Sequence, residues 1–302
     1  MAPRDNYRYD VRGRLGDAVS IELDYAVPGS ALADFVTVFY WFRADVPAFE
    51  DVERADHAQI RFRLTPGGAR YRFADGHEQD VADAHIVGPT TGAFQVSTQG
   101  PVHAFGAGLT PAGWAALVGS DASGMINRAV DLADLFGRAV SDDAVRALQS
   151  ADGLEGKARC GEDILARLMR GHRDKTLDFV RQVDTWLFSS PSPDVEALVV
   201  TTGVSRRQVE RRCRALYGAP PKVLARKYRA LRAAVALLAE QVSIDQAVGM
   251  GFYDQPHMNR EIKQFTGYTP RQMKDEPGLL SQLTVAQRYA LGGKVHPIIS
   301  DT

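Results

Sequence analysis

An α+β fold, β-rich at its N-terminal end and all-α at its C-terminal end, is predicted by three features of the 302-residue sequence. Short β-branched and aromatic runs fill the first hundred or so residues. After Pro111 the apolar residues switch to helical spacing. Near the end, one helical unit occurs twice at a fixed offset of 49 residues.

Along the chain, Asp34 to Arg43 (DFVTVFYWFR) is too rich in strand formers for a helix. Ile60, Phe62 and Leu64 alternate with Arg61 and Arg63. Pro66-Gly67-Gly68 then marks a turn before Arg70-Tyr71-Arg72-Phe73, so a hairpin is the simplest expectation. Further strands are expected at His85 to Val87, Ala93 to Thr98 and Val102 to Leu109, a spacing that suits a sheet or barrel of cupin-like outline. Helical spacing covers Trp114 to Val118, Leu132 to Phe136, Asp143 to Leu148 and Glu162 to Met169. It continues through Leu177, Val180, Val183 and Leu187 to a Ser/Pro cluster at 189–193 that makes the best boundary in the chain. The division drawn is 1–140 β-rich, 141–191 helical connector, 192–276 double helical unit and 277–302 tail. In the tail, Leu279, Leu280, Leu283 and Val285 have the spacing of a short helix packed on the body.

The duplicated unit carries the most information. In its second copy Asp254 is a good N-cap, Pro256 lies in the first turn, and Gly267 followed by Pro270 is a stop. Met258, Ile262 and Phe265 form one apolar stripe, with Gln255, Asn259, Arg260 and Lys263 away from it. Subtracting 49 lands on Ser205, Val209, Cys213, Leu216, Gly218 and Pro221, and carries Arg260 onto Arg211. In this first copy Arg206, Arg207, Glu210, Arg211 and Arg214 lie on or near the face opposite the stripe. Each copy has a bracing helix before it, Val195 to Thr201 and Ser243 to Met250. A long helix from Pro221 to Glu240 joins them. At 1.5 Å per residue it spans roughly 30 Å.

These residues resemble the DNA-binding domain of the AraC family of bacterial transcription regulators. The family's second half reads G-F-x-D-Q-x-H-(apolar)-x-R-x-(apolar)-K-x-x-x-G-x-T-P. It is met here by Gly251, Phe252, Asp254, Gln255, His257, Met258, Arg260, Ile262, Lys263, Gly267, Thr269 and Pro270. The first half is matched more loosely by Gly203, Ser205, Arg207, Val209, Arg211, Gly218 and Pro221. The resemblance covers about the last third of the chain. It implies two helix-turn-helix units whose second helices enter the major groove of promoter or operator DNA, and a preceding effector or dimerisation domain. Arg207, Glu210 and Arg211 occupy positions expected to meet base edges, where arginine suits guanine and glutamate suits cytosine N4. Gln255 and Asn259 suit adenine, while Arg260 and Lys263 suit guanine or phosphate. RNA polymerase, a small-molecule effector and a second copy of the chain are partners the resemblance allows. The sequence departs from the pattern in three ways. Ser243 and Gln246 stand at usually apolar places on the bracing helix, which predicts looser packing of the second unit. Cys213 replaces a large aromatic. Pro256 replaces a polar residue, which shifts the expected specificity toward the first unit.

Charge agrees once it is divided along the chain. The formal net charge is −1, yet residues 192–276 hold 14 Lys and Arg against 9 Asp and Glu, whereas residues 1–191 hold 20 against 27. No apolar run approaches the roughly 20 residues of a membrane helix, and MAPRDNYRYD lacks the apolar core of a secretory leader, so a cytoplasmic protein is expected. Cys160 and Cys213 are expected to be reduced thiols. An enzyme is the rival reading: a small-molecule-binding or cupin-type catalytic domain with the helical unit as an auxiliary DNA- or protein-binding module. His57, His77, His85 and His103 lack the H-x-H pair and following Glu of a cupin metal site, and no nucleophile constellation appears, so neither catalysis, metal nor cofactor is expected. Tyr40, Trp41, Tyr71 and Phe73 are candidate pocket walls, with Arg61, Arg63, Arg70 or Arg72 to hold an anion. The competing expectation has the aromatics in the core and the arginines in solvent.

Overall fold

The computed structural model describes residues 21–169, 174–275 and 278–302; the N-terminal decapeptide discussed above and Pro277 lie outside them. Ten strands form two antiparallel sheets. They are β1 (Ile21–Ala26), β2 (Val36–Ala44), β3 (Ala48–Glu53), β4 (Gln59–Arg63), β5 (Ala69–Arg72), β6 (Glu78–Val81), β7 (Ala84–Val87), β8 (Phe94–Gln99), β9 (Val102–Leu109) and β10 (Ala129–Asp131). The larger sheet has the order β1-β2-β9-β4-β7-β10 and the smaller β3-β8-β5-β6. This is the expected β-rich N-terminal part. The expected β4–β5 hairpin, however, does not form. β4 pairs with β9 and β7, while β5 pairs with β6 and β8 in the other sheet. Both edges of β4 are taken. The Arg63 guanidinium also donates to the Thr65 and Gly68 carbonyls, which turns the Pro66-Gly67-Gly68 segment into a corner between sheets.

Period-two alternation in the larger sheet separates two buried faces, where the sequence suggested one buried and one wet face. Ile60, Phe62, Phe39, Phe105 and Ile86 lie on the face packed by helices. Gln59, Arg61, Arg63, Tyr40 and Phe42 point the other way, into a space between the sheets.

The helices after β9 are α1 (Pro111–Leu117), α2 (Leu132–Phe136), α3 (Arg138–Ser150), α4 (Gly153–Leu168) and α5 (Asp174–Ser189). The double helical unit holds α6 (Val195–Thr202), α7 (Arg206–Tyr217), α8 (Pro221–Leu238), α9 (Ile244–Val248), α10 (Gln255–Thr266) and α11 (Pro270–Asp275). The tail forms α12 (Leu279–Tyr289) and α13 (Pro297–Ser300). One apolar cluster runs without a break from Phe39, Ile60 and Trp114 through Leu165, Val183 and Leu187 to Leu198, Val209, Cys213 and Tyr228. A second cluster gathers Leu231, Ala234, Met258, Ile262 and Phe265 around the second unit, and Ala55 of the β-rich part belongs to it.

The duplication is visible in backbone chemistry. Ser205 caps α7 and Asp254 caps α10. Gly218 and Gly267 end the two helices in the left-handed region, at φ 79° and 87°, where a β-carbon would be strained. Ser243 and Gln246, at usually apolar places, stand at the start of α9. They form a reciprocal capping box at the start of α9, each satisfying a backbone N–H of that end, and Ala247 supplies the buried contact.

Candidate nucleic-acid interface and internal cavity

Helix α7 buries Val209, Cys213 and Tyr217, while Leu216 of the expected stripe is only half-buried. Its outer face is cationic. Arg207 and Arg211 are exposed and make no ion pair among the described residues. Glu210 lies 3.8 Å from Arg206 Nε and 3.7 Å from Arg214 Nη1, so one carboxylate spaces two guanidiniums along the helix. Arg206 also pairs with Glu196 on the bracing helix α6. Arg212 faces elsewhere, its guanidinium 5.3 Å from the Phe179 ring centroid on α5.

On α10 the buried stripe is Met258, Ile262 and Phe265, as the spacing predicts, and Gln255, Arg260 and Lys263 are exposed. Asn259 is half-buried, with Oδ1 unpartnered among the described residues. One residue on this helix was not foreseen as structural. The Glu261 carboxylate is 2% exposed and receives Arg226 Nε at 2.5 Å and Arg229 Nη2 at 2.7 Å, both from α8, with His257 Nε2 at 3.2 Å. Burial alone would raise its pKa, but the two guanidiniums bring it below the usual carboxylate range. Arg229 also donates to the Gly251 carbonyl at 2.8 Å, so one buried cluster fixes the angle between α8, the turn and α10. The sequence signal was an acid next to Ile262 and cations on the apolar side of α8.

Between the sheets lies a cavity of about 130 Å³, closed at one end by α12 through Leu280, Ser281, Thr284 and Arg288. Of the eight expected pocket residues, Tyr40, Tyr71, Arg61 and Arg63 line it. Trp41 and Phe73 do not, and Arg70 and Arg72 are exposed, paired with Asp80 and Glu78. Arg61 is held by Glu53, with Nη1 to Oε1 at 2.8 Å, and donates to Tyr71 Oη at 3.0 Å and Tyr40 Oη at 3.1 Å. Tyr71 Oη is 2.9 Å from His85 Nε2, and His85 Nδ1 is 2.7 Å from the Ala82 carbonyl. The carbonyl fixes the ring proton on Nδ1, so Nε2 accepts from the tyrosine. Burial, reinforced by Arg61, pushes His85 down to about 3, which keeps it neutral. Of the other histidines, His103 pairs with Asp45, His57 meets Tyr228, and His77 stacks on Phe73. No group of three metal-ligating side chains occurs among the described residues.

The loop from Arg54 to Ala58 joins the cavity to α8 and α10, and nothing in the sequence marked it. Ala55 N donates to the Phe265 carbonyl at the end of α10 (2.7 Å), and Ala93 N donates to the Gln264 carbonyl (2.9 Å). Lys227 of α8 donates to the Asp56 carbonyl at 2.6 Å and the Thr90 carbonyl at 3.1 Å, and Tyr228 Oη is 2.7 Å from His57 Nε2. Asp51 of β3 accepts from Tyr268 Oη at 3.2 Å and from Leu280 N of α12 at 2.8 Å.

A family model described as a helix-turn-helix domain matches residues 198–276, and one described as a domain of unknown function (DUF6597) matches residues 25–131. The chain thus carries a C-terminal helix-turn-helix domain behind a β-rich N-terminal domain. Its C-terminal domain is of the AraC type, as the sequence resemblance indicated. Among solved structures, ToxT from Vibrio cholerae in its P21 form is 8% identical over 78% of this chain and 96% of that one, with a TM-score of 0.44. ToxT from Vibrio cholerae O395 is 10% identical over 75% and 96%, with a TM-score of 0.41. The AraC-like transcriptional activator CuxR is 12% identical over 78% and 87%, with a TM-score of 0.32. No curated protein matches the chain. No helix among the described residues is long and apolar enough to cross a membrane.

Proposed function

We propose that the chain binds specific double-stranded promoter or operator DNA by placing α7 and α10 in successive major grooves, and that its N-terminal domain modulates this binding. The observation that carries the reading is the pair of matched helices, each with one buried stripe and one exposed polar face. Helix α8 spans 18 residues, roughly 27 Å at 1.5 Å each, a separation suited to neighbouring grooves on one DNA face. Arg207, Glu210 and Arg211, flanked by Arg206 and Arg214, read the first half-site. Gln255, Asn259, Arg260 and Lys263 serve the second, where Pro256 weakens readout, so most specificity comes from α7. The net excess of five cations over residues 192–276 is modest, which leaves base contacts or a second copy of the chain to supply affinity. The division into 1–140, 141–191, 192–276 and 277–302 belongs to this reading. So do a small-molecule effector, contact with RNA polymerase, a cytoplasmic site of action, and the absence of catalysis.

The test uses DNA selected from a random pool. Arg211→Ala and Arg260→Ala are each expected to lose about 1–3 kcal/mol of discrimination at one base position, with the larger effect for Arg211. Unchanged affinity and sequence preference in both would remove these residues from the interface.

A further inference from the structure

The outward row of α10 opens on carbon. Pro256, Asn259, Arg260 and Lys263 fall on one face of the helix at i, i+3, i+4 and i+7, and Pro256, at the N-terminal end of that row, is exposed. Just before the N-cap Asp254 stands Tyr253, 91% exposed, more than any other large apolar side chain among the described residues, although its neighbour Phe252 is buried. The backbone under Tyr253 is pinned. Its N–H donates to His257 Nδ1 at 3.2 Å, Asp254 Oδ1 accepts from the His257 amide at 2.7 Å, and the Glu261 cluster holds the helix to α8. An aromatic ring is thus carried in solvent on a fixed helix end.

The first copy shows that the repeated fold does not require this. Subtracting the offset of 49 carries Tyr253 onto Val204 and Pro256 onto Arg207. Val204 is half-buried against the main apolar cluster, and Arg207 is an exposed cation. At equivalent places one unit therefore presents a guanidinium, and the other a pyrrolidine ring with an exposed aromatic before it. The N-terminal residues of a groove-bound helix meet base edges. In the major groove those edges offer polar donors and acceptors and one apolar group, the C5-methyl of thymine. The Pro256 ring has no polar atom to give. Over guanine O6 or cytosine N4 it would leave a hydrogen-bonding group unpaired, whereas over a methyl it covers carbon with carbon.

We infer that Pro256 and Tyr253 form an apolar tip on α10 that selects a thymine in the second half-site by covering its C5-methyl group. The inference rests on the DNA-binding reading above and deepens it. Arg207, at the matching place of α7, suits guanine, so the two half-sites are unlike and the chain binds its site in one direction. An apolar contact is weaker than a bidentate arginine pair, in keeping with α7 carrying most of the specificity.

The experiment uses the full chain and DNA selected from a random pool. Each thymine of the recovered site is replaced in turn by deoxyuridine, which keeps Watson–Crick pairing and lacks only the methyl. At one thymine the wild-type chain is expected to lose about fourfold in affinity, the worth of one buried carbon at roughly 0.8 kcal/mol. Tyr253→Phe should keep that loss and Tyr253→Ser should reduce it. Pro256→Gln is expected to move the base selected at that position from thymine to adenine. Both side chains are exposed, so the variants should melt with the wild type. Uracil without effect at every thymine, or an equal loss in Tyr253→Ser, Pro256→Gln and wild type, would overturn the thymine contact and leave DNA recognition standing. A uniform loss on all sequences in Tyr253→Phe would make its hydroxyl a phosphate contact and overturn the part given to the ring. Enrichment of no sequence at all would instead remove DNA recognition itself, and this inference with it.

Discussion

Asp184 shows how one side chain ties stability to pH. Tyr217 Oη, at the end of α7, lies 3.0 Å from Asp184 Oδ1 and 3.2 Å from the Val180 carbonyl. A single hydroxyl proton cannot serve both acceptors. When Asp184 is protonated the chain closes, with Asp184 donating to Tyr217 and Tyr217 to Val180. Burial pushes the carboxyl up to about 7, with the tyrosine contact pulling the other way. Its pKa in the unfolded chain is about 3.9, so between that value and about 7 the native state holds the extra proton. Stability is greatest below the unfolded pKa and falls as pH rises through this window, by up to about 1.4 kcal/mol per pH unit, then levels off. Asp184→Asn is expected to be near neutral at pH 4 and stabilising at pH 8, read from urea midpoints across that range. Parallel pH profiles for variant and wild type would show that the carboxyl titrates normally.

At the scale of elements, what the sequence disclosed depended on where each hydrogen bond closes. Caps, stripes and stops are local, so α7 and α10 could be read from Ser205, Asp254, Gly218 and Gly267 with their glycine conformations. Strand pairing is not local. The alternation in β4 and β5 was visible, but their partners, β7 and β9 against β6 and β8, lie farther along the chain, and the hairpin expectation failed there. The same alternation made Arg61 and Arg63 look solvated or ligand-binding, whereas they are internal and satisfied by Glu53 and by carbonyls. β1, β3, β6 and β10 were missed because each is short or weakly patterned, with partly exposed positions. Glu261 escaped for a different reason, since its meaning depends on Arg226 and Arg229 some thirty residues earlier. Glu261→Gln leaves Arg229 buried without its carboxylate, and a loss of about 3–5 kcal/mol is expected. Because the folded pKa of Glu261 is depressed, its contribution is present above the unfolded pKa of about 4.3 and is lost as pH falls through the folded one. The penalty should therefore be full at pH 7 and shrink at acid pH. A denaturant midpoint unchanged at pH 7 would mean that the Glu261–Arg229 pair carries no net stability.

Across the whole molecule, the Ser/Pro stretch at 189–193 looks like a linker in composition, yet the apolar contacts cross it. Trp186 and Leu187 before it share one cluster with Val195 and Leu198 after it, and the Trp186 indole donates to the Asp194 carbonyl at 2.7 Å across the bend. The cluster continues to Trp114 under the larger sheet and to Tyr228 on the linker helix. A flexible joint would give two melting transitions, one for the β-rich part and one for the readers. A continuous core predicts one. Calorimetric and van't Hoff enthalpies are expected to agree for the full chain, and Leu198→Ala, at a fully buried position, should lower the transition by about 2–5 kcal/mol. Because the variant site lies in α6, the decisive reading is remote. With Trp41 and Trp186 replaced by phenylalanine, fluorescence of Trp114, buried against the sheet, should shift with the same midpoint as far-ultraviolet dichroism of the helices. If Leu198→Ala moved the helical signal and left the Trp114 transition in place, the β-rich part and the first reader would be energetically separate. Any signal from the cavity would then have to reach α8 and α10 through polar contacts, those of the 54–58 and 90–93 loops and of Asp51.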